Sequence, residues 1–130
     1  MARAGVTLTI EGLDELIREF KELGEKTVLD TLHTANVRAA EEVRDTARQM
    51  APFDTGELER SIHVLSATRG KQGVLATVGS ELYYAMFIEY GTERMRNFYP
   101  FLRPAFDSHE VSIIESYREA LREAVKQHGG

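Results

Sequence analysis

The sequence predicts an α+β domain: a small antiparallel sheet of about three to five strands, packed by a long amphipathic helix and followed by a C-terminal helix. Three observations carry this prediction. Strand-like and helix-like stretches are segregated along the chain, in the order β-α-α-β-β, then a segment of either kind, a loop and a helix. From about Thr27 to Met50, apolar residues recur at steps of three and four. Two strand-like runs, Ser61 to Ala67 and Gly73 to Ser80, flank the polar link "TRGKQG" with its two glycines, and the pair reads as a hairpin with a longish loop.

Each element has its own local cause. "VTLTI" (Val6 to Ile10) alternates apolar and polar β-branched residues, the pattern of a short half-buried strand. "GLDELIREFKELG" sets Leu13, Leu16, Ile17, Phe20 and Leu23 on one helical face, with Gly24 as a stop. The long helix carries the stripe Val28, Leu32, Ala35, Ala39, Val43, Ala47 and Met50, opposite Asp30, Arg38, Glu41, Glu42, Arg44, Asp45 and Arg48. Its many alanines suit close packing on a sheet or a second helix. Pro52 ends it, because the residue before a proline avoids the α region. "YYAMFIEYGT" (Tyr83 to Thr92) is too apolar to lie exposed and fits a strand or a short helix. "ERMRNFYPFLRP" reads as irregular up to Pro104, which suits a first helical turn. From there Phe106, Ile113, Ile114, Tyr117, Leu121, Ala124 and Val125 mark a last amphipathic helix to about Gln127.

Composition bounds the function. The 130 residues fit one domain, 1–130, and at 42% apolar and 28% charged they exclude extensive disorder and a collagen-like or coiled-coil chain. A net charge of −5 is not the overall field of a protein that binds DNA or an anionic membrane, so neither nucleic-acid specificity nor a membrane is expected. There is no cysteine, which removes disulfides, thiolate metal sites and thiol catalysis. The start, "MARAGVTLTIEGLDE", has no apolar run of signal-peptide length, and nothing approaches the ~18 apolar residues of a membrane span. The expectation is a soluble, reduced, cytoplasmic chain.

The sharpest chemical candidate is Asp54-Thr55-Gly56, the tripeptide that carries the catalytic aspartate of aspartic proteases. Such an enzyme needs two aspartates sharing a proton, each on a tight turn after an apolar strand. Here Asp54 follows "RDTARQMAPF", the end of a charged helix, and precedes "ELERSI", a solvated setting. The competing reading makes Asp54 the N-cap of a short helical turn, with Glu57 three residues on completing a capping-box-like pair. The histidines at 33, 63, 109 and 128 are scattered, with no ligand spacing between them, and are expected as surface or packing residues. There is no phosphate-binding glycine loop and no nucleophile elbow, so no cofactor, metal or catalytic group is expected. Arg94, Met95, Arg96, Phe98 and Tyr99 form a local patch of arginine among aromatic and sulfur side chains. In an acidic chain it is expected as a protein-interface loop rather than a nucleic-acid contact.

Three segments, "APFDTGELERSI", "YYAMFIEYGT" and "PFLRPAF", resemble in this order the tail-completion (head–tail joining, neck) family of long-tailed bacteriophages and prophages. The matching positions are Ala51, Pro52, Asp54, Thr55, Gly56, Leu58, Ser61 and Ile62; then Tyr84, Ala85, Glu89, Gly91 and Thr92; then Pro100, Phe101, Leu102, Arg103, Pro104 and Ala105. The resemblance covers roughly Leu13 to Leu121, and the "ERMRNFY" insert departs from the family's pattern. It implies a structural, non-enzymatic minor tail protein of the virion. Copies would form an oligomeric ring that caps the tail tube, made in the host cytoplasm and finishing at the neck. Its partners would be the tail tube protein, the head-completion or connector protein, and other copies of itself. A mobile loop, "TRGKQG" or "ERMRNFY", would order on docking. Two other readings stand beside this one: a dimeric aspartic protease using Asp54, and a generic protein-binding adaptor. Within the motifs, Gly91 is expected to take a backbone angle other residues avoid, Glu89 to pair with Arg103, Phe101 and Leu102 to be core, and Pro104 to start the last helix.

Overall fold

The computed structural model describes residues 4–52, 56–70, 73–91 and 99–128. Strand β1 (Ala4–Thr9) leads into helix α1 (Leu13–Glu19), a 3-10 turn (Lys21–Leu23) and the long helix α2 (Glu25–Met50). A short helix α3 (Glu57–Ser61) precedes strands β2 (His63–Gly70) and β3 (Gly73–Ser80). Helices α4 (Ala85–Tyr90) and α5 (Leu102–His128) complete the chain. The fold is α+β, as expected from the segregated pattern.

The sheet has three strands in the order β1-β3-β2, with β1 and β2 both antiparallel to β3. Val6, Val78 and Val64 lie in register across it. One face is apolar and buried: Ala4, Val6 and Leu8 on β1 meet Val74, Ala76 and Val78 on β3. Helix α2 lies on this face over β3 and β2, and α5 packs on α2 and reaches β1. The buried alanines 35, 39, 40 and 47 let α2 approach its neighbours closely. The other face carries Thr7, Thr77 and the half-exposed Leu75, and the Thr7 and Thr77 hydroxyls share a hydrogen bond at 3.0 Å.

Several expectations need correction. The first helix does not run unbroken to Gly24. It stops at Phe20 (φ −108°, ψ 37°), and the 3-10 turn lets both Phe20 and Leu23 reach the core. The hairpin link is shorter than "TRGKQG": β2 continues to Gly70 and β3 starts at Gly73, with those two residues paired. Thr68 to Gly70 are polar, but an edge strand tolerates polar residues because it need not be buried on both sides. Residues 71 and 72 of this segment lie outside the described residues. Met50 and Ile114 are exposed, because Met50 is the last residue of α2 and Ile114 lies off the packed side of α5. The ambiguous segment from Tyr83 is helical as α4.

Within the α2 stripe sits a polar residue, Asn36, fully buried. Its Nδ2 donates to the Leu8 carbonyl at 3.1 Å, and its Oδ1 accepts from the Tyr117 hydroxyl at 2.5 Å. One amide thus ties α2 to β1 and α5. Thr46 and His109, bonded at 2.6 Å, tie α2 to α5 a second time. Burial pushes the Tyr117 phenol up to about 12, whereas an unfolded tyrosine titrates near 10. Only the neutral phenol can donate to Asn36. The contribution is therefore complete below pH 10 and is lost as pH rises towards 12, where the unfolded chain has released a proton that the folded chain still holds. Urea midpoints of the wild type and Tyr117→Phe should converge over this interval. The wild type is expected to lose on the order of 2 kcal/mol more than the variant. Parallel losses in both proteins would refute the assignment.

Candidate functional site

The three sequence motifs do different structural jobs, and the fold brings two of them together. The first forms the corner from α2 into the sheet. Ala51 leaves the helical region (ψ 133°) just before Pro52. Gly56 stands in the left-handed region (φ 81°) as the N-cap of α3. The cap position expected at Asp54 therefore falls two residues later, because a left-handed residue at 56 breaks any helical turn begun before it. Leu58 and Ile62 are buried in the core. Ser61 donates to the Leu58 carbonyl at 2.6 Å and lies 2.7 Å from the Ser80 hydroxyl, which accepts from the Leu82 N–H at 3.1 Å. With the Ser61 proton already committed, Ser80 donates to Ser61, and every member of the chain is satisfied. Asp54 and Thr55 lie outside the described residues. The element before them is α2, so no strand feeds the tripeptide as it does in an aspartic protease.

The second and third motifs meet at Glu89. Its carboxylate is 4% exposed and accepts three backbone N–H groups from the start of α5. Phe101 and Leu102 donate to Oε1 at 2.7 and 2.8 Å, and Arg103 donates to Oε2 at 3.1 Å. The first N–H groups of a helix have no partner within it, and the helix dipole favours negative charge there, so a buried carboxylate from another helix satisfies both needs. The expected pairing of Glu89 with Arg103 thus exists through the Arg103 backbone and not its guanidinium. That guanidinium reaches Asp107 at 3.9 Å and lies 5.5 Å from the centre of the Phe106 ring. Phe101 and Leu102 are fully buried, and Pro104 falls in the first turn of α5.

The same clasp fixes both ends of the intervening segment. Gly91 takes φ 73° and donates to the Phe87 carbonyl at 2.8 Å, while the Tyr99 N–H donates to the Ile88 carbonyl at 2.9 Å. Pro100 follows, leading to the bonded residues of α5. Thr92, Arg94, Met95, Arg96 and Phe98 lie outside the described residues. Beside the two anchors, α4 presents an aromatic surface. Ala85 is buried beneath it, Tyr83 and Tyr84 stack edge to face at 5.3 Å, and Phe87 and Tyr90 are exposed. Tyr83 is 79% and Tyr99 65% exposed. The Tyr90 hydroxyl donates to the Gly5 carbonyl at 3.2 Å, holding the aromatic surface against β1.

Among the described residues, no group of three histidine, aspartate or glutamate side chains could hold a metal ion. His63 bonds its own turn through the Ser61 carbonyl at 2.8 Å, His109 bonds Thr46, and the His33 Nδ1 is buried without a partner. Among the described residues, no helix is long and apolar enough to cross a membrane.

Residues 14–91 match the family model described as "Bacteriophage HK97-gp10, putative tail-component". The chain belongs to this family of phage tail components. No curated protein and no solved structure matches it. The HK97-gp10-like match covers more than half of the chain and contains the first motif whole and the second as far as Gly91. The third motif lies beyond it, yet Glu89, inside the matched stretch, holds that motif's backbone. An HK97-gp10-like tail component is a structural protein of the virion, and its surfaces are made to meet other virion proteins. Sequence reasoning singled out Glu89, Ser61 and Gly91 as motif residues. It missed Asn36, whose only signal was a polar residue inside an apolar stripe.

Proposed function

We propose that this HK97-gp10-like protein acts without catalysis at the head–tail junction, as an oligomeric ring that caps the tail tube and joins it to the filled head. Its partners on this reading are the tail tube protein, the head-completion or connector protein, and neighbouring copies. The observation that carries the proposal is the Glu89 clasp beside a tyrosine-rich surface. It anchors both ends of a segment whose sequence, with Arg94, Met95, Arg96 and Phe98, has the composition of interface anchors. Exposed aromatic surface on a small domain marks a contact site, and here it sits beside the Glu89 clasp.

Electron microscopy of particles made with and without the gene tests the reading. Filled heads and finished but unattached tails are expected in its absence, and restoration on complementation. Normal joined particles without the gene would overturn it.

A further inference from the structure

A groove of about 570 Å³ runs between β1 and α5 and is closed at one end by the start of α1. One of its walls is a sheet edge. Among the described residues, strand β1 pairs only with β3. The Ile10 N–H donates to the Val74 carbonyl at 3.1 Å, so antiparallel alternation turns the backbone groups of Ala4, Val6 and Leu8 towards β3 and those of Gly5, Thr7 and Thr9 away from it. The Tyr90 hydroxyl on the Gly5 carbonyl marks this outer side. The N–H and C=O groups of Thr7 and Thr9 have no partner among the described residues.

Natural sheets protect their free edges with charges, prolines or bulges. Strand β2 has a register irregularity between Val64 and Ser66 and carries Arg69, which pairs with Asp30 at 2.8 Å. Strand β1, "AGVTLT", has none of these devices. The other wall is α5, from Arg103 to Arg118, about four turns and so roughly the length of a six-residue strand. The floor is apolar, with Leu8, Leu16, Phe106, Ile113 and the exposed Ile114.

The rim is acidic. Both lining arginines are already engaged: Arg118 with both oxygens of Glu19 at 2.8 and 3.0 Å, and Arg103 with Asp107. Glu11, Glu15 and Glu110 also line the groove and have no cationic partner among the described residues. The described strands of the chain are all built into its own sheet.

We propose that this groove receives an extended, lysine- or arginine-flanked segment of a partner protein. The segment adds as a strand to Thr7 and Thr9 and lays its alternate apolar side chains on α5. Only the partner's origin in the virion rests on the head–tail reading. The pairing itself rests on the edge, the floor and the charge.

The test uses a fluorescein-labelled synthetic peptide of alternating valine and threonine with two lysines at each end. Its controls carry glutamate flanks, or a proline in the core. The lysine-flanked peptide should raise fluorescence anisotropy and bind at least about tenfold more tightly than either control. It should also slow amide exchange at Thr7 and Thr9. Thr7→Pro removes an outward N–H and no ladder bond, and Ile114→Glu alters an exposed floor residue. Each should weaken binding at least about tenfold with an unchanged circular dichroism spectrum, and Ile114→Glu serves alone if Thr7→Pro misfolds. Absence of binding, equal affinity for the two charged peptides, or affinity untouched by the variants would overturn the proposal. So would concentration-dependent self-association that Thr7→Pro abolishes, since the occupant would then be a second copy. Failure here would leave the head–tail reading standing, because particle morphology tests that separately.

Discussion

Glu89→Ala is expected to destabilise the protein by about 3–5 kcal/mol, lowering Tm by roughly 10–20 °C. Three donors lose their acceptor at once, and two of them belong to Phe101 and Leu102, which are buried where water cannot replace the carboxylate. Glu89→Gln keeps one carbonyl oxygen for Phe101 and Leu102 but loses the charge and turns an amide N–H₂ towards the Arg103 N–H. It should recover about half of the loss, because hydrogen bonds to a charged acceptor are roughly twice as strong as neutral ones. Glu89→Asp keeps the charge on a side chain one methylene shorter and should not match Gln. Thermal unfolding followed by circular dichroism ranks the three variants. Amide exchange should show the damage beginning at residues 101–103 and not in the sheet. A Glu89→Ala protein within about 1 kcal/mol of wild type would mean that the clasp is not what holds α5 to α4.

The clasp also shows where sequence reasoning stops. That Glu89 and Arg103 belong together was legible from two motifs with opposite charges. That the backbone N–H of Arg103 is the partner was not, because backbone donors carry no residue-type signal. The long elements were legible for a simple reason: Glu25–Met50 and Gly73–Ser80 repeat their apolar residues at the helix and strand periods, and each buries that face. Where polar residues sit on a sheet edge, as at Thr68 to Gly70, composition reads as loop although the backbone pairs. Asn36 was illegible because its partners, Leu8 and Tyr117, stand 28 and 81 residues away. The groove was illegible for a related reason. The free side of β1 follows from its place at the end of the order β1-β3-β2, and no local pattern specifies strand order.

Gly79→Ala should be as damaging as the loss of Glu89, at about 3 kcal/mol or more, and for a different reason. Gly79 does not have a positive φ, so its requirement is space and not backbone freedom. A Cβ there would stand 2.0 Å from the Ala4 carbonyl oxygen, 2.8 Å from the Gly5 Cα and 3.0 Å from the Ala4 carbonyl carbon. All three are backbone atoms of β1, so no rotamer change can relieve the contact and the strand itself must move. Its displacement would pull Ala4, Val6 and Leu8 from the core, and would draw the Leu8 carbonyl from Asn36 and the Gly5 carbonyl from Tyr90. The facing glycine supplies the control. A Cβ on Gly5 meets the Thr77 methyl at 3.3 Å and the Val78 carbonyl at 3.5 Å, contacts that a few tenths of an ångström of side-chain adjustment relieve. Gly5→Ala should therefore cost no more than about 1 kcal/mol. Urea unfolding of the two variants gives the comparison, and equal costs would defeat the steric argument. Because β1 is also the edge that borders the groove, the two variants separate stability from docking. Gly5→Ala should still bind the lysine-flanked peptide, whereas the folded fraction of Gly79→Ala should not, since the strand that the peptide needs is the one that has been pushed aside.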